Sequence, residues 1–218
     1  MEKNNGKVIA IVALVVAVVA LSVGFAAFSD TLTIDGNANV SAAANPFDDS
    51  TNGLAYSTQN PTCYKTGATS TTLGTPGTAS GDTWSGISVP LSSANPSITC
   101  TATVLNSTSY DAYLTKISTP NNNADGLTCS SSGANATTNA ANVCNGAQVT
   151  VTIGSNTATI NKDGLTEPGS YTASVSKSGG TATVTVTISY NSSALTDEDV
   201  TVTIPTITHA YSSANPNS

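Results

Sequence analysis

Beyond residue 28 the chain alternates apolar and polar residues with period two, the spacing of a strand that buries one face. Phe28, Leu32, Ile34, Ala38 and Val40 take even positions and Ser, Thr, Asp and Asn the odd ones, with a break near Gly36. The same alternation returns at Ile87, Val89 and Leu91, and again at Ile98, Cys100, Ala102 and Val104. It recurs at Val149, Val151 and Ile153, at Tyr171, Ala173 and Val175, from Ala182 through Val184, Val186 and Ile188 to Tyr190, and at Val200, Val202 and Ile204. After Pro205 the parity flips to Ile207, His209 and Tyr211. A proline at a register change predicts a bulge or an edge strand. Between Asn45 and about Asp82 the chain is rich in Gly, Ser, Thr and Pro without a sustained period, which predicts loops, one of them holding Cys63.

No stretch after residue 28 carries a helical period. Turn pairs stand at Asn52-Gly53, Asp125-Gly126, Asn145-Gly146, Asp163-Gly164 and Pro168-Gly169, and the triplet Ala-Asn-Pro begins at 44, 94 and 214, each reading as a strand stop. Many short strands with Thr-rich outer faces predict an all-β fold, an antiparallel β-sandwich. The expected organisation is an N-terminal hydrophobic helix over 1–27, an N-terminal strand and linker over 28–45, and the sandwich domain over 46–218.

The helix is expected because Val8 to Phe28 holds no charge, follows Lys3 and Lys7, and precedes Asp30. It is long enough for a bilayer core, which needs about 20 apolar residues, and the lysines orient its N-terminus inward. It also ends in small residues, so it is read as a signal peptide cleaved at Ala26 or Ala27, with retention of residues 8–28 as a membrane anchor the alternative. Either way the domain is expected outside the cell, extracellular or at the cell surface.

Composition narrows the function. The 218 residues carry 13 acidic and 6 basic side chains, a formal charge of −7, and every basic residue is Lys. A chain so short of cations lacks the footprint that nucleic acid requires. Four cysteines, Cys63, Cys100, Cys129 and Cys144, in an exported chain imply two disulfides. Sequential pairing, Cys63 with Cys100 and Cys129 with Cys144, is favoured, because the second pair brackets a Ser/Asn/Gly/Ala loop that cannot order itself.

The chemistry-bearing residues point away from catalysis. His209, the one histidine, has no partner set around it and reads as a packed or edge residue on its strand. One histidine without HExxH cannot supply a zinc site. The run Asn121 to Gly126 has oxygen-bearing residues at alternate positions and a sixth-position glycine, as a calcium loop would, but Ser132 stands where the loop needs Glu, so a polar loop is expected. Asp197, Glu198 and Asp199 read as a solvated hairpin tip. Trp84 could join Tyr64, Tyr110 and Tyr113 in a sugar site, yet one large ring is what a small β core buries, so it is placed in the core. The Asn-x-Ser/Thr triplets at Asn39, Asn106, Asn135 and Asn191 are assigned no function. No catalytic, cofactor or metal residue is expected, and the protein is not expected to be an enzyme.

The run SVGFAAFSDTLTIDGNANV, Ser22 to Val40, resembles the signal and mature start of surface proteins processed by SipW-type signal peptidases, the group that holds the TasA and camelysin fibre proteins. DAYLTKI (Asp111–Ile117), VCNGAQVTVTIG (Val143–Gly154) and TVTISYNSSALTDEDVTVTIPTITHAYSSA (Thr185–Ala214) are similar to an uncharacterised family of surface β proteins in low-GC monoderm bacteria. The resemblance implies an Ig-like or jelly-roll sandwich that can assemble into extracellular fibres, although those fibre proteins are not rich in Cys. The expected function is an exported structural protein, a pilus-like or matrix fibre subunit, with Leu32, Ile34, Ala38 and Val40 as the strand that self-associates. A membrane-tethered adhesin or lectin-like module, with a surface glycan or protein as ligand, is the alternative.

Overall fold

The computed structural model describes Leu14, Phe47 and residues 53–57, 61–68, 72–132, 135–190 and 199–215. The chain divides into two units, Met1–Ala43 and Ala44–Ser218. The expected hydrophobic helix (Leu14 apart), the cleavage residues Ala26 and Ala27, and the strand of Leu32, Ile34, Ala38 and Val40 lie outside the described residues.

The second unit is mostly β, built of antiparallel sheets. In chain order its strands are β1 (Leu54–Tyr56), β2 (Thr62–Lys65), β3 (Thr78–Ser80), β4 (Thr83–Ser85), β5 (Ser88–Leu91), β6 (Ser97–Asn106), β7 (Ala112–Ser118) and β8 (Thr128–Ser131). A helix, α1 (Ala136–Gly146), precedes β9 (Gln148–Ile153), β10 (Asn156–Asn161), β11 (Gly164–Thr166), β12 (Ser174–Val175), β13 (Gly180–Ser189), β14 (Val200–Thr203) and β15 (Ile207–Ser212). The largest sheet runs β1-β6-β13-β9-β10-β11, with β2 also paired to β6. A second runs β12-β7-β15-β4-β3, and a third β5-β14-β8.

Alternation places the core. On β6 the side chains of Ile98, Cys100, Ala102 and Val104 are buried, and β13 answers with Val184, Val186 and Ile188. The two strands pair residue for residue, Ile98 opposite Ile188 and Cys100 opposite Val186, and β9 extends the register with Val151 opposite Val186. Inward side chains from all three sheets, among them Val89, Leu114, Val202 and Ile207, close one continuous core. Each fully buried Val, Leu or Ile contributes about 1.5–3 kcal/mol. Such a core is consistent with the sandwich expected.

Several local expectations are corrected. The stretch between Cys129 and Cys144 contains α1 rather than only loop. Ala136, Ala140 and Ala141 favour helix, but only Val143 is buried, so the sequence shows no helical stripe to read. The stretch 45–82 contains β1, β2 and β3, with Cys63 on a strand, each too short for a period to emerge. Pro205 marks no edge strand, and the register shift of the strand that follows it comes later, between Ala210 and Tyr211. The proline lies between β14, the middle strand of one sheet, and β15, inside another, and the parity flip lets Ile204 and Ile207 both face inward as the chain changes sheets. Asp197 and Glu198 of the acidic cluster lie outside the described residues, and the strands on either side of it, β13 and β14, belong to different sheets. Of the strand expected over 171–175 only Ser174–Val175 forms.

Candidate functional site

The cysteines are paired Cys63 with Cys100 and Cys129 with Cys144. Cys63 stands directly opposite Cys100 across the β2–β6 ladder, and both are buried. Cys129 and Cys144 instead tie β8 to α1, which lies beyond the reach of any ladder. The chain-entropy model assigns about 3 kcal/mol to a loop of that size and about 4 kcal/mol to the longer one.

Trp84 is fully buried, and its indole N–H donates to the Pro76 carbonyl at 2.8 Å. No sugar can stack on it. Tyr110 is 59% exposed, so the aromatic set proposed for a carbohydrate does not share one surface with the tryptophan. His209 is also fully buried on β15. Its ring stands edge-on to Tyr56 at 4.9 Å between centroids and to Tyr211 at 5.3 Å. Neither ring nitrogen, nor the Tyr56 hydroxyl, has a hydrogen-bond partner among the described residues. Burial pushes the His209 pKa down to about 4, so the imidazole is neutral at physiological pH. Burial raises the Tyr56 phenol well above its usual range, with Tyr211 and Asp82 adding to the effect. The group is a packed aromatic cluster, closed to substrate.

The loop after β7 is organised by asparagine. Asn121, Asn122 and Asn123 all have left-handed backbones, φ 54°, 55° and 67°, a conformation that Asn tolerates better than other side-chain-bearing residues. The Asn121 amide donates to Asp125 Oδ1 at 2.7 Å. Asn123 accepts from the Thr119 amide at 2.9 Å and donates to Glu167 Oε1 at 2.8 Å. The second oxygen of Glu167 accepts from the Tyr171 hydroxyl, which itself accepts from the Ile117 amide. Burial, with Glu167 adding, pushes the Tyr171 pKa up to about 12. Asn123 Oδ1 and Asp125 Oδ1 thus already accept hydrogen bonds from protein donors, and among the described residues no three His, Cys, Asp or Glu side chains cluster.

Two buried asparagines do comparable work unforeseen from sequence. Asn106, at the end of β6, donates to the carbonyls of Tyr110 and Val175 and accepts from Thr108. Asn156, opening β10, donates to Ser170 and accepts from the amides of Thr172 and Ala173. Both occupy core-facing parity, where a lone polar residue at a strand end was the available signal.

Two shallow grooves lie among the described residues. One, about 360 Å³, runs past Asp125, Gly126, Lys162 and Pro205. The other, about 440 Å³, lies between β8 and α1 beside the Cys129–Cys144 bridge. No family model, curated protein or solved structure matches the chain.

Proposed function

We propose that the chain is an exported cell-surface structural protein of Ig-like or jelly-roll type, a subunit of a pilus-like or matrix fibre. The observation that carries this reading is the pair of disulfides stapling a small β domain, the mark of an oxidising compartment. The domain follows an apolar segment of export character, its four cysteines are paired, and its Trp84 and His209 are buried in the core. Assembly is assigned to residues 28–40. A terminal strand whose apolar set is Leu32, Ile34, Ala38 and Val40 can add to the open sheet edge of a neighbour, where ladder hydrogen bonds give affinity and pockets give register. Passed head to tail between identical subunits, such a strand makes an open filament.

The test is a deletion of residues 28–40 from the oxidised, processed protein, examined by negative-stain microscopy and by circular dichroism. The intact protein forms fibres, and the deletion leaves a folded monomer that does not. If the deletion unfolds the domain, or the intact protein shows no fibres at high concentration, the donor-strand reading fails and the membrane-tethered binding module replaces it.

A further inference from the structure

The outward face of the largest sheet is a regular array of threonine. Directly paired residues share a face, so the registers place Thr62, Thr101, Thr185, Thr152 and Thr157 in one row across five strands. A second row holds Thr99, Thr187, Thr150, Thr159 and Thr166, with Tyr64 at its end. Both rows stand opposite the buried set of Ile98, Cys100, Val186 and Val151, and their threonines are half-buried or exposed. No charged side chain stands in either row, in a chain with 13 acids and 6 lysines. Asp82, Asp111, Asp125, Asp163, Glu167 and Asp199 all fall between strands.

The hydroxyls are partly satisfied within the face. Thr62 bonds Thr101 at 3.3 Å, Thr99 bonds Thr187 at 3.4 Å, and Thr152 bonds Thr157 at 3.1 Å. Pairs of this kind lower the cost of removing water, since dehydration leaves fewer orphaned polar atoms. What faces outward is a layer of short β-branched side chains, able to pack against a like layer as sheets do about 10 Å apart.

We infer that this threonine face is a lateral self-association surface, on which a second copy of the chain packs face to face. A copy is the partner that charge selects, because an acidic protein can approach itself without like-charge repulsion only through a face free of charge. Five strands about 4.8 Å apart and about six residues long give a footprint of about 500 Å² per copy. That falls short of the about 800 Å² per partner of a stable complex. The contact is therefore weak between two free copies and effective where copies already stand in a row. The inference rests on the assembly reading, and adds to it the contact that lays filaments side by side.

The test uses the full processed, oxidised chain and two substitutions at the centre of the array, Thr185→Lys and Thr152→Lys. Each lowers the net negative charge, so a general electrostatic effect would strengthen association, whereas a buried face would be broken. Sedimentation of the intact protein is expected to show reversible, concentration-dependent association, weakened at least tenfold in either variant while circular dichroism and melting stay near those of the parent. Microscopy separates the two levels of assembly. Fibres that form in the variants but no longer bundle support the inference; bundles that persist in both overturn it. If the parent forms no fibres yet associates in solution, and the lysines abolish this, the face stands and the donor-strand reading fails. A parent that stays monomeric throughout overturns the face itself.

Discussion

The slab made by β6, β13 and β9 and the segment from Thr119 to Gly146 are held by different means. In the slab, one pattern dominates: small or branched apolar residues inward, Thr outward, and a register without interruption over the ten pairs of β6 and β13, with the Cys63–Cys100 disulfide tying β2 to β6. The segment has few apolar residues to bury, among them Leu127 and Val143. Asparagine side chains, one disulfide and a short alanine-rich helix order it instead. Hydrophobic burial is shared among many close-packed side chains, while a staple or a hydrogen-bonded node acts through one or two residues.

The largest effect is expected in the slab. Ile188→Ala removes a fully buried side chain opposite Ile98 and should cost about 4 kcal/mol, within the range for such truncations, with a matching drop of the whole domain's denaturation midpoint. Replacing Cys129 and Cys144 together by Ser should cost about 3 kcal/mol. Here hydrogen exchange should show protection lost first in β8 and α1, with β6 and β13 still protected; uniform loss would erase the distinction between the two regions.

Acid should act through the aromatic cluster on β15. His209 binds a proton near pH 6.5 when unfolded and only near pH 4 when folded, so the unfolded state binds more protons in between. Stability is complete above pH 6.5 and falls as pH drops towards 4, by about 3 kcal/mol in all. His209→Phe should flatten that part of the urea-denaturation profile, and an unchanged profile would show that another group carries the acid response. The smallest effect is expected at a polar node. Asn156→Ala strands the amides of Thr172 and Ala173 and should cost about 2 kcal/mol, read as a shift of the thermal midpoint.

The same contrast explains what was legible in the sequence. Ile98, Cys100, Ala102 and Val104 announced β6 because burying one face of a strand leaves a period of two. Trp84 and His209 sat where parity and size put them, inside. Leu54, Tyr56 and Thr62 to Lys65 gave no such signal, since three or four residues cannot show a period. Helix α1 stayed hidden because its only buried residue is Val143. Pro205 was visible as a discontinuity, but only the three-dimensional course shows that the chain changes sheets there. The roles of Asn106, Asn123 and Asn156 depend on carbonyls and amides distant in sequence, which local pattern does not encode.

The central claim, an exported and processed surface subunit, is tested most directly by isolating the protein from the cell surface and determining its N-terminal sequence and its thiol state. The account predicts a chain beginning at Ala27 or Phe28, with no free thiol and with peptides joined through Cys63–Cys100 and Cys129–Cys144. A chain that retains residues 8–26, or one with reduced cysteines, would contradict it.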